Sequence, residues 1–210
     1  MASRGQFITF EGTEGVGKST QLATAANTLK KLGIDYIVTR EPGGTPMAEA
    51  IRELLLAPRE EPVNDMTELL LMFAARAQHL HTRILPELKS GRWVLCDRFT
   101  DATFAYQGGG RGVPAERIAQ LESLVQGDFR PDQIILLDAP VETGMTRARD
   151  RGELDRFEQE AVAFFERIRQ TYLKRATEDP GRYHIVDAAQ PLEAVSGDVA
   201  SLIQSLVQRA

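Results

Sequence analysis

Along the chain, short runs of apolar, β-branched and aromatic residues alternate with longer stretches of helical periodicity. The runs are "QFITFEG" (6–12), "IDYIVTR" (34–40), "RWVLCDR" (92–98), "DQIILLD" (132–138) and "RYHIVDA" (182–188). Each has the length and composition of a strand. Between the first two, Leu22, Ala25, Ala26, Leu29 and Leu32 lie on one helical stripe that stops at Gly33. The segments 67–88 and 141–176 are also helical in character, the second interrupted at Gly152. Pro, Gly and Asp/Asn content marks 57–65 and 107–114 ("QGGGRGVP") as loops. Strand and helix in regular alternation predict an α/β fold, a five-stranded parallel sheet covered by helices on both faces.

Composition narrows this without redirecting it. At 210 residues and 42% hydrophobic content, with nine Phe, the chain is expected to form a single domain with a substantial core. The net charge of −5 disfavours nucleic acid or a membrane surface as the main partner, because both call for a basic patch. The N-terminus lacks the apolar run of a signal peptide, and no segment reaches the roughly 18 apolar residues of a membrane span. The single Cys96 sits in an apolar run and has no partner for an intramolecular disulfide, which suits a reducing cytoplasm.

The first strand runs straight into chemistry. Gly12, Gly17, Lys18 and Ser19 fill the fixed positions of G-x-x-x-x-G-K-[ST], after a strand and at the opening of a helix. Backbone N–H groups of such a loop converge on phosphates, and the helix N-terminus adds positive partial charge. Gly12, Thr13, Glu14, Gly15, Val16, Gly17, Lys18, Ser19 and Thr20 are therefore expected to hold a nucleotide's phosphates, with Lys18 on the β- and γ-phosphates. Ser19 is expected to ligate Mg²⁺, together with Asp97 at the end of "WVLCD". Glu14 is out of character in such a loop. Two like charges about 6 Å apart repel by about 3 kcal/mol at an effective dielectric near 20, so its carboxylate is expected to point away from the polyphosphate.

The cradle is shared by kinases, motors and nucleotide switches. The N-K-x-D signature of guanine-specific switches is absent, and the length is short for a motor, which favours a small kinase; a kinase for another nucleotide and a non-catalytic switch stay open. Phosphoryl transfer also needs positive charge beyond Lys18, and "RARDRGELDR" offers Arg147, Arg149, Arg151 and Arg156. On a straight helix Arg147 and Arg151 share a face, while Arg149 lies about 200° from Arg147.

Five ordered motifs, "FEGTEGVGKST", "TREPGGTP" (39–46), "LMFAARAQ" (71–78), "CDRFTDATFAYQGGGRG" (96–112) and "RGELDRFEQE" (151–160), resemble those of thymidylate kinases, of the bacterial kind with catalytic arginines in a lid. The resemblance covers nearly the whole length. It implies the P-loop nucleoside-monophosphate-kinase fold, a lid around 141–157, a cytoplasmic homodimer, and transfer from Mg·ATP to dTMP on the way to dTTP. It implies that Glu14 accepts a hydrogen bond from the acceptor's 3′-hydroxyl, and that Arg98, with Arg52 as a second candidate, binds the acceptor phosphate. Arg76 would bond the base with Thr103 nearby, Gln107 would face the base, and Tyr106 would crowd the 2′ position. Glu41 and Pro42 belong to the acceptor loop, the isomer of their peptide bond left open by sequence. The segment 187–195 would shape the adenine pocket. The family's base-stacking Phe stands four residues before the base-binding Arg; here Phe73 stands three before Arg76 and Met72 four before, and Phe73 is expected to stack. His79, His81 and His184 read as packing or surface residues.

Overall fold

The computed structural model describes residues 4–150, 156–157 and 160–209. Its sheet contains β1 (Phe7–Glu11), β2 (Tyr36–Arg40), β3 (Trp93–Asp97), β4 (Gln133–Asp138) and β5 (Tyr183–Asp187), all parallel, in the order β2-β3-β1-β4-β5. This is the P-loop nucleoside-monophosphate-kinase arrangement, and each strand falls inside the run that predicts it.

Alternation along the strands feeds two cores. Ile8, Phe10, Leu95, Ile135 and Leu137 pack against α1 (Lys18–Lys31) and α9 (Leu192–Arg209) on one face. On the other, Ile134 and Leu136 meet α7 (Val141–Arg149) and α8 (Val162–Glu178). On that face Phe7, Ile37 and Val94 meet the π-helical turn Leu80–Ile84, which runs into α4 (Leu85–Lys89). Period-two burial on both faces is what forces helices onto both sides of a parallel sheet.

Two further helices start on side-chain caps. Thr45 opens α2 (Pro46–Leu56) by accepting the Ala48 N–H at 3.2 Å, and Asn64 opens α3 (Asp65–His79) by accepting that of Met66 at 2.9 Å. The remaining helices are α5 (Thr100–Thr103) and α6 (Ala115–Gln126).

One loop expectation fails. Residues 107–110 of "QGGGRGVP" belong to a π-helical turn, Phe104–Gly110, rather than to a loop. The glycines are there for close approach to α8: a Cβ on Gly109 would lie 2.1 Å from Thr171 Oγ1, and one on Gly110 2.5 Å from Phe164 Cε2. Arg167 of α8 donates to the carbonyls of Gly109 and Gly110 at 3.2 and 2.8 Å, taking up acceptors that the wide turn leaves over.

Candidate active site

The C-terminal ends of β1, β2 and β3 open into a cavity of about 530 Å³, the place where open parallel sheets bind ligands. The loop between β1 and α1 forms one side, and Gly15, Gly17, Lys18, Ser19 and Thr20 line it. Gly12 and Thr13 contribute backbone: their carbonyls accept Lys18 Nζ at 3.1 and 2.7 Å. Val16 is turned into the core. Burial and then the neighbouring Arg98 pull Lys18 down to about 8. The loop tip rests on α7 by backbone alone, since a Cβ on Gly15 would fall 1.8 Å from Gly144 O, and one on Gly144 2.3 Å from Glu14 O. The phosphate loop and α7 are thus packed closely together.

Glu14 turns away from the phosphate side of the loop. Its Oε1 accepts Arg98 Nη2 at 2.7 Å and the Tyr106 hydroxyl at 2.8 Å, and its Oε2 lies 4.0 Å from Lys18 Nζ. Burial alone raises such a carboxyl, but Arg98 and Lys18, with the two hydrogen bonds, hold it at about 2. Arg98 follows β3 at φ 67°, in the left-handed region that costs a non-glycine residue about 1 kcal/mol. Two backbone bonds fix that turn: Arg98 N–H donates to Phe10 O at 3.0 Å, and Phe99 N–H to Glu11 Oε1 at 2.7 Å. Glu11 itself is fully buried and also accepts the Tyr172 hydroxyl at 2.8 Å; burial and Asp101 push it up to about 8.

Across the cavity stands Arg76, 3% exposed. Its Nε donates to Glu41 Oε2 at 2.7 Å, and its Nη2 to Phe99 O and Thr103 Oγ1 at 3.1 and 3.0 Å. Nη1 is buried with no partner, a donor available to whatever fills the cavity. The peptide bond between Glu41 and Pro42 is cis, and Arg52 Nη1 donates to Pro42 O at 3.0 Å. Pro42, Arg52, Thr103, Tyr106 and Gln107 all line the same space. A phosphate cradle and a base-sized polar wall therefore share one cavity.

The family model described as thymidylate kinase matches residues 10–199. The thymidylate kinase of Pseudomonas entomophila (strain L48) is 60% identical over 205 residues, 98% of each chain. That of Ectopseudomonas mendocina (strain ymp) is 58% identical over 204 residues, 97% of each. The chain belongs to the thymidylate kinase family. The crystal structure of thymidylate kinase from Ehrlichia chaffeensis is similar in fold, with a TM-score of 0.76 at 32% identity, covering 95% of this chain and 99% of that one.

Set against the family's pattern, the structure separates the expected residues. Phe73 is not a cavity residue: it is 2% exposed and packed with Leu69, Val113 and Ile118 between α3 and α6, while Met72 lines the cavity. One residue along a helix rotates a side chain by about 100°, and the larger ring goes to the helix–helix seam. Of the lid arginines, Arg147 lines the cavity and donates to Ala188 O at 2.9 Å. Arg149 is exposed and does not line it, and Arg151 lies outside the described residues.

His79 is neither mere packing nor surface. Fully buried, it bonds Glu41 Oε1 through Nδ1 at 2.9 Å and Thr39 Oγ1 through Nε2 at 2.6 Å, bracing the carboxylate that holds Arg76.

Five further residues line the cavity without being singled out in the sequence: Arg40, Phe99, Ala102 and Phe157 lie inside the quoted motifs, and Leu56 lies outside them. Leu56 stands four residues after Arg52 on α2, a helical spacing that puts both on one face. Asp97 also lines the cavity, and its Oδ1 is buried without a hydrogen-bond partner. With the Ser19 hydroxyl on the same cavity, this donor set fits Mg²⁺, a hard cation that takes one or two protein oxygens and completes its shell with phosphate and water.

Proposed function

We infer that this protein transfers the γ-phosphoryl group of ATP to dTMP, giving dTDP and ADP. The observation that carries the reading is one cavity in which the Lys18 phosphate loop faces the unpartnered Nη1 of Arg76, with Glu14 turned to the acceptor side between them. In the proposed mechanism the acceptor phosphate, held by Arg98 and Arg52, presents an oxygen in line with the γ-phosphorus. Being mostly ionised at pH 7, it needs no general base. Lys18, released from the Gly12 and Thr13 carbonyls, follows the β- and γ-phosphates, and Arg147, with Arg149 and Arg151, supplies lid charge. Ser19 and Asp97 would hold Mg²⁺, which would supply neutralisation of the charge on those phosphates.

Glu14 receives the acceptor's 3′-hydroxyl, and Tyr106 stands where a 2′-hydroxyl would go. Arg76, Thr103 and Gln107 face the base, with Met72 in place of Phe73 against its ring.

Exposed Leu54 on α2, Leu70 on α3 and Leu124 on α6, three helices packed side by side, support a homodimer, read out by a sedimentation mass near twice 23.3 kDa. A single buried thiol supports a cytoplasmic setting. No helix among the described residues is long and apolar enough to cross a membrane.

ADP formation with Mg·ATP tests the transfer, comparing dTMP, dUMP, UMP, CMP, GMP, thymidine and no acceptor. A rate that depends on dTMP and exceeds the others is expected. Slow hydrolysis indifferent to every acceptor would point instead to a nucleotide switch.

A further inference from the structure

Behind the base end of the cavity lies a carboxylate that the transfer does not touch. Glu68, in the first turn of α3, is 1% exposed. Its Oε1 accepts Gln107 Nε2 at 2.9 Å and Arg111 Nε at 3.5 Å, and its Oε2 accepts Arg156 Nη2. Arg156 is fixed in turn by donating Nε to Leu55 O at 2.8 Å, with its guanidinium 4.4 Å over the Phe157 ring. A carboxylate buried alone would be strongly disfavoured; Arg156 and, at longer range, Arg111, whose Nη1 pairs with Glu160, present only donors to its two oxygens and offset that cost. An ionised carboxylate accepts hydrogen bonds and cannot donate them.

That one-sidedness passes to Gln107. A side-chain amide offers a donor on one arm and an acceptor on the other, and in isolation either arm can face a ligand. With an acceptor-only group at 2.9 Å, the NH₂ arm is committed to Glu68, and the carbonyl arm is the one left for the cavity that Gln107 lines. Arg76 Nη1 supplies a donor on the same wall. Donor and acceptor together match a pyrimidine with a 4-carbonyl and a protonated N3. A 4-amino pyrimidine with a bare N3 inverts both positions, so each group would meet its own kind.

We propose that Glu68 is a positioning residue: it sets the polarity of the Gln107 amide and thereby the preference for 4-oxo over 4-amino pyrimidine monophosphates. The inference rests on the reading above that Gln107 faces the base. Arg111 and Arg156 serve it by facing the Glu68 oxygens with donors alone.

The test compares dTMP with 5-methyl-dCMP, which differ only at the 4-substituent and N3. A site built on polar groups rejects the mismatched partner strongly, so the wild-type ratio of kcat/KM is expected to be about 10³ or more. Glu68→Gln keeps the shape but adds an NH₂ that can meet either arm of Gln107, freeing the amide to turn. The ratio is expected to fall at least tenfold, with KM for ATP unchanged.

Gln107→Met is the control. If it leaves the ratio intact, Gln107 does not face the base, and the reading and the inference fall together. If Gln107→Met collapses the ratio and Glu68→Gln does not, the inference alone is overturned.

Should Glu68→Gln fail to fold, the wild-type protein decides by NMR. The Gln107 side-chain amide, assigned by its loss in Gln107→Met, is expected to be protected from exchange before dTMP is added. An amide that exchanges freely until dTMP binds has its NH₂ toward the cavity, and the proposal is wrong.

Discussion

Arg76 and Arg98 on one side of the cavity and Arg147 on the other stand in opposite states. Arg76 is buried and Arg98 partly so, and both are tied down, Arg76 to Glu41, Phe99 O and Thr103, and Arg98 to Glu14 with its guanidinium 4.6 Å over the Tyr106 ring. On α7, Arg147 is exposed with one bond, to Ala188 O, and Arg149 is exposed. Fixing a long side chain costs up to about 2 kcal/mol of rotamer entropy. For Arg76 and Arg98 folding has already met much of that cost, which suits their proposed role of holding a static base and phosphate. The exposed Arg147 and Arg149 of α7 are less tightly held, which suits the proposed role of charges needed only while a phosphoryl group moves.

Breaking the wall should therefore hurt most. Arg98→Met removes the proposed acceptor-phosphate contact and leaves the partly buried Glu14 with the Tyr106 hydroxyl and Lys18. Removing one member of a buried, hydrogen-bonded pair costs about 3 to 4 kcal/mol, or roughly 10² to 10³ in kcat/KM for dTMP. Steady-state kinetics with dTMP varied measure it. A loss below tenfold would show that Arg98 does not hold the acceptor phosphate.

The same contrast explains what was legible in the sequence. Strand positions and sheet class follow from short apolar runs, because burial on both faces of a parallel strand leaves a dense local signal. The cradle is equally local: Gly12, Gly17, Lys18 and Ser19 are fixed by spacing. The acceptor wall is assembled from separate elements, and motif likeness brought Glu14, Arg76, Arg98 and Tyr106 into view where periodicity alone does not. Sequence misplaces Phe73 because a stacking role and a helix-seam role differ by one step of helical rotation, decided by α6 packing. Glu11 and His79 are missed because a buried polar residue looks no different in sequence from an exposed one. The glycines of 107–110 read as a loop because their requirement is the surface of α8, some 60 residues away.

Protonation sharpens the comparison, because the wall holds carboxyls perturbed in opposite directions. Glu14 is held at about 2 against an ordinary 4.5, so its ion pair contributes fully above pH 4.5 and is lost as pH falls toward 2. The contribution is on the order of 3 kcal/mol. Glu11 is raised to about 8, so its contribution is fullest below pH 4.5 and declines as pH rises toward 8. Unfolding free energy from denaturant titrations is thus expected to fall on both sides of a maximum near pH 4.5 to 5. Glu14→Gln should flatten the acid limb and Glu11→Gln the neutral limb. An acid limb that survives Glu14→Gln unchanged would mean the Arg98 pair does not stabilise the wall.

The lid offers the smallest effect and the finest discrimination. Arg147 faces the cavity, whereas Arg149, two residues on, is rotated about 200° around the helix. Because Lys18 and neighbouring arginines share the developing charge, Arg147→Met is expected to lower kcat by about tenfold or somewhat more, about 1.4 kcal/mol, with KM for dTMP unchanged. Arg149→Met should cost less, and Arg151→Met tests the remaining arginine of the motif, which lies outside the described residues. A loss in kcat alone separates a lid charge from an acceptor contact, since a wall residue such as Arg98 moves the dTMP dependence as well. Full kcat in all three variants would leave the lid without a role in transfer and place the whole catalytic charge on the prebuilt cradle.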